Sequence, residues 1–203
     1  MAIATYTDLL SAVANWSHRD DLTATIPDFI TLVEADVRPV LRTQEQETKN
    51  AAYSITGEYV AAPADLLEVR AFEVAGQAGR YALRLAGDSD MTDSYPTGSG
   101  APRFYSLVGT NFRFAPIPDG TYTATITYFA KFSGLTAQNT TNDLLTQHPN
   151  IYLFGVMYYA GAHILDAEMA QAYKALFEEV IGKLQRSVGR NRWGGPGLQI
   201  KAA

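Results

Sequence analysis

Apolar positions recur at helical spacing towards both ends of the chain and alternate in between. Tyr6, Leu9, Leu10, Val13 and Trp16 lie three or four apart, which predicts a helix over residues 5–17. Thr5 stands where an N-cap belongs, with Asp8 as the returning carboxylate of a capping box, and the helix should stop near His18. A second helix is predicted from Thr25, with Pro27 in its first turn and Asp28 in the capping-box position. Ile26, Phe29, Ile30, Val33, Val37 and Leu41 form its stripe. Pro39 lacks an amide hydrogen and crowds the preceding turn, so the helix should kink or end near Arg38.

From Gln44 to Phe132 the period changes to two. The clearest strand runs from Thr121 to Phe132, with Tyr122, Ala124, Ile126, Tyr128, Ala130 and Phe132 on one face. Shorter alternations occur at Ala51–Ile55, Leu67–Val74, Tyr81–Leu85, Arg103–Val108 and Phe112–Phe114. Breakers separate them at Gly76–Gly79, Gly98–Pro102, Gly109–Asn111 and Pro118–Gly120. This middle section is predicted to be an antiparallel sheet, sandwich or small barrel.

A polar stretch, residues 133–147, leads to His148-Pro149, after which helical spacing returns. Ile151, Phe154, Tyr158, Ala162 and Leu165 make one stripe, and Gly155, Gly161 and Ala162 predict close approach of a neighbouring helix. Asp166 ends this helix and caps the next, whose stripe is Met169, Tyr173, Leu176, Phe177, Val180, Ile181 and Leu184. From Gly189 the chain holds too many glycines for a helix and is expected to be extended. The expected class is therefore α+β: a helical bundle made from N- and C-terminal helix pairs, a central antiparallel β section and an extended C-terminal arm. The expected segments are a helix pair over 1–43, a β domain over 44–132, a linker and second helix pair over 133–189, and an arm over 190–203.

Composition narrows the chemistry. At 203 residues the chain is long enough to bury roughly 70% of its unfolded surface, so it needs no staples. It has no cysteine, which removes disulfides, thiolate metal sites and a cysteine nucleophile. No apolar run approaches a membrane span, and the N-terminus lacks the basic start and apolar run of a signal peptide, so synthesis in the cytoplasm and no membrane partner are expected. The net charge of −5 is unevenly spread. No acidic residue follows Glu179, and Lys183, Arg186, Arg190, Arg192 and Lys201 contribute five positive charges there, which leaves −10 for the remainder of the −5 chain. An acidic body thus carries a basic tail.

Catalytic and metal patterns are missing. His18, His148 and His163 are isolated and read as an exposed helix end, a cap or turn, and a packed residue. Asp88, Asp90 and Asp93 lack EF-hand spacing and read as a solvated loop, with Ser89 or Asp93 capping a short helical turn. Neither a nucleophile elbow nor a phosphate-binding glycine loop occurs, and pairs such as Glu68/Glu73 or Glu45/Glu47 say nothing about separation across a cleft. No cofactor, metal or catalytic residue is assigned. The twelve tyrosines and nine phenylalanines favour core or subunit-interface packing, with Trp16, Phe29, Tyr158, Tyr173 and Phe177 as ring or core residues. A sugar- or receptor-binding module carried by those aromatics is the first alternative, and a glycan-cleaving enzyme the second.

Four segments in this order carry a resemblance. They are the opening helix pair with Ile26-Pro27-Asp28-Phe29-Ile30; AAPADLLEVR at Ala61–Arg70; the strand run from Gly100 to Leu135; and TNDLLTQHPN with the helices after it. Together they resemble the head-to-tail adaptor, or connector, proteins of tailed bacteriophages, which are related to tail accessory and tail tubular A proteins. Ala62 stands where that family often has leucine. The resemblance implies a non-enzymatic virion protein at the head–tail interface. It implies a homo-oligomeric ring, usually of twelve copies, bound to the portal protein and to a tail or nozzle protein. Double-stranded DNA passes through the channel during ejection without specific binding, which an acidic lumen favours. The arm is expected to grip the portal through Arg190, Arg192, Trp193, Leu198, Ile200 and Lys201.

Overall fold

The computed structural model describes residues 3–193 apart from residues 20, 77–78 and 96–97, with side chains described as far as Arg186. In chain order its elements are α1 (Tyr6–Ser17), α2 (Ile26–Val37), β1 (Glu47–Ile55), β2 (Tyr59–Ala61), β3 (Leu66–Gly76), β4 (Gly79–Ala82), β5 (Arg84–Leu85), α3 (Asp88–Ser94), β6 (Phe104–Val108), β7 (Asn111–Ala115), β8 (Tyr122–Ala130), α4 (Asp143–Gln147), α5 (Pro149–His163) and α6 (Ala167–Trp193). The fold is α+β. It divides into a helical unit, built from the chain up to Glu45 and from Phe132 onward, and a β unit, Gln46–Lys131.

In the helical unit the Thr5 hydroxyl accepts the Asp8 amide hydrogen at 3.2 Å, and the Asp8 carboxylate accepts the Thr5 amide at 3.0 Å, closing the expected capping box. The Thr5 hydroxyl, with the Ala4 and Thr5 amides, holds the Asp8 carboxyl below its usual range. The expected box at Thr25 does not form. The chain already turns before it, so Thr25 has helical torsions and its hydroxyl donates to the Leu22 carbonyl instead of accepting the Asp28 amide. The stripe of α2 is buried throughout, and the helix ends before Pro39 with Arg38 as its cap.

The stripe assigned to α5 was rotated from the true one. Ile151, Tyr152, Leu153, Val156, Met157 and Ala160 are buried because α5 packs on α1, α2, α4 and α6, leaving no single apolar face to read. Leu165, placed in the stripe, lies past the helix end at φ 60° and is 90% exposed. Leu176 of α6 is half-exposed. The glycine expectation holds: a Cβ on Gly161 would come within 2.8 Å of the Ala170 backbone nitrogen, and one on Gly155 within 2.6 Å of Val33 and 3.0 Å of Phe177. Gly155→Ala gains about 1 kcal/mol in helix propensity. Overpacking a rigid valine and a buried ring costs about 1–3 kcal/mol. The variant is therefore expected to lower the urea midpoint followed by helical dichroism, and a raised midpoint would show that these helices separate freely.

Helix α6 also runs further than predicted. It continues through Gly189 to Trp193, so the extended arm does not begin at Arg190. One interior glycine costs only about 1 kcal/mol, less than several flanking helical turns supply together. Asp166 caps α6 as expected, its carboxylate accepting the Met169 amide at 3.0 Å.

The β unit is a sandwich of two four-stranded sheets, ordered β1-β8-β3-β4 and β2-β7-β6-β5. Their inner faces meet in one core containing Tyr53, Phe72, Val74, Tyr105, Phe112, Phe114, Ile126 and Tyr128. The pairing is not wholly antiparallel, because β5 runs parallel to β6. The aspartate-rich segment read as a loop is the two-turn helix α3, preceded by Gly87 as N-cap rather than capped by Ser89 or Asp93; its Met91 is 1% exposed. Strand β2 and helix α4 were too short to show a period.

Candidate functional site

The motifs that carry the family resemblance sit at chain junctions. Asp65, of Pro63-Ala64-Asp65, joins the start of β3 to the end of β8: its carbonyl accepts the Lys131 amide at 2.7 Å and its carboxylate the Tyr128 hydroxyl at 3.0 Å. Asn142, of Thr141-Asn142, caps α4 by accepting the Leu145 amide at 2.8 Å. Its side-chain amide donates to the Ser133 carbonyl and to the Tyr152 hydroxyl, both at 2.8 Å.

That second junction closes on a buried carboxylate. Glu34 of α2 is 5% exposed. One of its oxygens accepts the Leu135 amide at 2.7 Å and the Tyr152 hydroxyl at 2.9 Å, and the other accepts the Arg38 guanidinium at 3.3 Å. Arg38 also stacks over Phe132, 5.5 Å from the ring centroid. Burial, with Glu34 beside it, pushes the Tyr152 hydroxyl well above its usual range, so it stays protonated and donates. Gly134 makes the approach possible, since a Cβ there would lie 2.8 Å from the carboxylate. The arrangement pins the segment leaving β8 onto α2 and α5. Its polar groups are spent on one another and do positional work.

In the β unit, Arg113 of β7 reaches Glu58 at 2.9 Å, Asp88 at 2.8 Å and the Thr92 hydroxyl at 2.7 Å, which fastens α3 to the sheet. Asp88 is thereby a structural acid. The β unit also carries an open groove of about 380 Å³, lined by Tyr81, Ala82, Arg84, Tyr95, Arg103 and Phe104. The Arg103 guanidinium lies 4.7 Å from the Tyr81 ring centroid. Among the described residues no group of three or more potential metal ligands occurs. No helix among them is long and apolar enough to cross a membrane.

The SU10 adaptor protein family model matches residues 4–199. The chain belongs to that family. Membership bears out the resemblance to phage head-to-tail adaptors and makes the chain a structural adaptor of a phage particle. No curated protein matches it.

The residues singled out in the sequence of this adaptor are distributed as follows. Phe29 and Phe177 are core residues of the helical unit, at 6% and 5% exposure. Tyr158 and Tyr173 are half-buried, Tyr158 against Tyr159 and Tyr173 against Phe154. Trp16 is 51% exposed, with its ring 6.4 Å from Phe154. Arg190, Arg192 and Trp193 belong to α6 by their backbone, and Leu198, Ile200 and Lys201 lie outside the described residues. Of the imagined carboxylate pairs, Glu45, Glu47 and Glu68 are exposed, and Glu73 faces Arg80 at 3.9 Å. Sequence reading missed Glu34, Arg113 and the groove. For Glu34 a signal existed: it falls four residues after Ile30 and three before Val37, inside the apolar stripe of α2.

Proposed function

We propose that this adaptor assembles as a ring of twelve copies beneath the portal protein, at the head–tail interface of the virion, after synthesis in the host cytoplasm. The ring gives the tail or nozzle protein its attachment surface and leaves a channel through which double-stranded DNA passes without specific binding. The work is assembly rather than catalysis. Family membership over residues 4–199 is the observation that carries this reading. The charge distribution supports it: a body at −10 favours a lumen that repels DNA, and the basic end suits an acidic portal surface. The half-exposed Trp16 is the aromatic residue we place between neighbouring copies.

Residues 190–203, with Arg190, Arg192 and Trp193 followed by Leu198, Ile200 and Lys201, form the portal grip in this reading. Negative-stain microscopy of the protein mixed with its portal is expected to show an added tier of density below the portal ring. Deleting 190–203 is expected to weaken attachment by about tenfold or more, roughly 1.4 kcal/mol, with helical dichroism otherwise retained. Attachment unchanged by the deletion would sink the grip, and no tier at high concentration would sink the ring.

A further inference from the structure

The groove on the β unit sets two arginines beside three aromatic rings. Arg84 and Arg103 enter its lining from β5 and the start of β6, and neither has an ion-pair partner among the described residues. The other exposed cations of this unit include Arg80, which faces Glu73 at 3.9 Å. Arg113 is held by two carboxylates. Two guanidinium groups without an ion-pair partner thus stand together in the groove of an acidic chain, with Asp119 acting on the Tyr81 hydroxyl beside them. Between them stand Tyr81, Tyr95 and Phe104, with Tyr95 and Phe104 in ring contact at 5.7 Å. The Tyr81 hydroxyl is buried with no hydrogen-bond partner.

The strand beside the groove supplies the second element. β5 closes the order β2-β7-β6-β5 as an edge strand. The Arg84 amide donates to the Arg103 carbonyl and the Ala86 amide to the Tyr105 carbonyl, so the backbone of Leu85 between them points to the unpaired side. The Leu85 side chain is 71% exposed. An exposed edge of this kind accepts an added strand, with main-chain hydrogen bonds giving affinity and flanking side chains giving selectivity.

We propose that the β5 edge and its groove dock an extended acidic segment of a tail protein, which adds to the sheet beside Leu85 and sets its carboxylates against Arg84 and Arg103. The tail protein as source rests on the adaptor reading, whereas the chemistry of the groove stands apart from it. An extended chain presents alternate side chains to opposite faces, so acidic residues at every second position share the face turned to the groove. Planar guanidinium groups favour carboxylates in two-point contacts.

The test is amide chemical-shift mapping of the full chain with a blocked peptide of alternating glutamate and valine, using the alternating lysine and valine peptide as control. Saturable shifts at Ala82, Arg84, Leu85, Arg103 and Phe104 are expected with the acidic peptide only, and they should weaken as salt is raised. Arg84→Glu, at an exposed position, is expected to weaken binding about tenfold or more with the rest of the spectrum unchanged. Arg103→Lys, which keeps the charge but not the planar stack on Tyr81, should give an intermediate loss. Equal response to both peptides, shifts confined to another face, or unaltered binding by Arg84→Glu would overturn the proposal. So would saturation by polygalacturonate oligomers without response to the acidic peptide, which would assign the groove to acidic sugars. Portal microscopy separates the two readings: Arg84→Glu is expected to keep the tier beneath the portal, and a tier missing with the unaltered protein counts against the adaptor ring while leaving the peptide result standing.

Discussion

Glu34→Ala is expected to destabilise the helical unit by about 3–5 kcal/mol, the usual cost of removing one partner from a buried charged network. The ion pair with Arg38 contributes a minor part, because the Arg38 side chain is 41% exposed and regains water when the carboxylate goes. The larger loss falls on the groups that cannot rehydrate. The Leu135 amide is left without an acceptor, and the Tyr152 hydroxyl keeps only the Asn142 contact. Each buried orphan costs about 1–3 kcal/mol. Glu34→Gln keeps the shape and one acceptor oxygen, so about 1–2 kcal/mol is expected from it. Urea unfolding followed at 222 nm measures the difference, and hydrogen exchange locates it: the Leu135 amide should lose its protection in the alanine variant. A loss below about 1 kcal/mol with Leu135 still protected would show that the network is not what holds the segment after Phe132.

The sequence was most informative where an element has one buried face. α2 satisfies that condition, and its stripe is buried throughout. β8 is buried on both faces, Thr125 and Phe129 included, yet its alternation still places Ala124, Ile126, Tyr128 and Ala130 in the core, while Phe132 packs on the helical unit. α5 gives no such signal, because its less buried face also carries apolar side chains, Phe154, Tyr158 and Ala162, so periodicity carries no direction there. Leu165 was therefore read into a stripe although the chain turns out of the helix just before it. The polar junctions were illegible for another reason. Glu34 meets partners 101 and 118 residues away, and only the folded chain brings them together. The motifs Pro63-Ala64-Asp65 and Thr141-Asn142 were visible as strings, but their roles as a strand clamp and a triple hydrogen-bonding hub depend on Tyr128, Ser133 and Tyr152.

The aromatic core of the β unit carries the other large effect. Phe72 is 2% exposed, and its ring lies 5.3 to 5.6 Å from those of Tyr53, Tyr105, Phe112 and Phe114. It belongs to β3, so Tyr53 is a neighbour within its own sheet, whereas Tyr105, Phe112 and Phe114 belong to the facing one. Phe72→Ala is expected to cost about 3–5 kcal/mol: transfer of a buried ring plus the cavity that remains. The four surrounding rings are held by backbone on both sheets and cannot all close on the space, which places the cost at the upper end. Phe72→Leu refills most of the volume and loses mainly the edge-to-face contacts, worth about 0.5–1.5 kcal/mol per pair and not additive. The alanine loss should therefore exceed the leucine loss at least twofold. Exchange of the Ile126 and Ala124 amides on β8, which pairs directly with β3 at Phe72 and Val74, reports it. Equal losses from the two variants would mean that ring geometry, rather than filled volume, joins the two sheets.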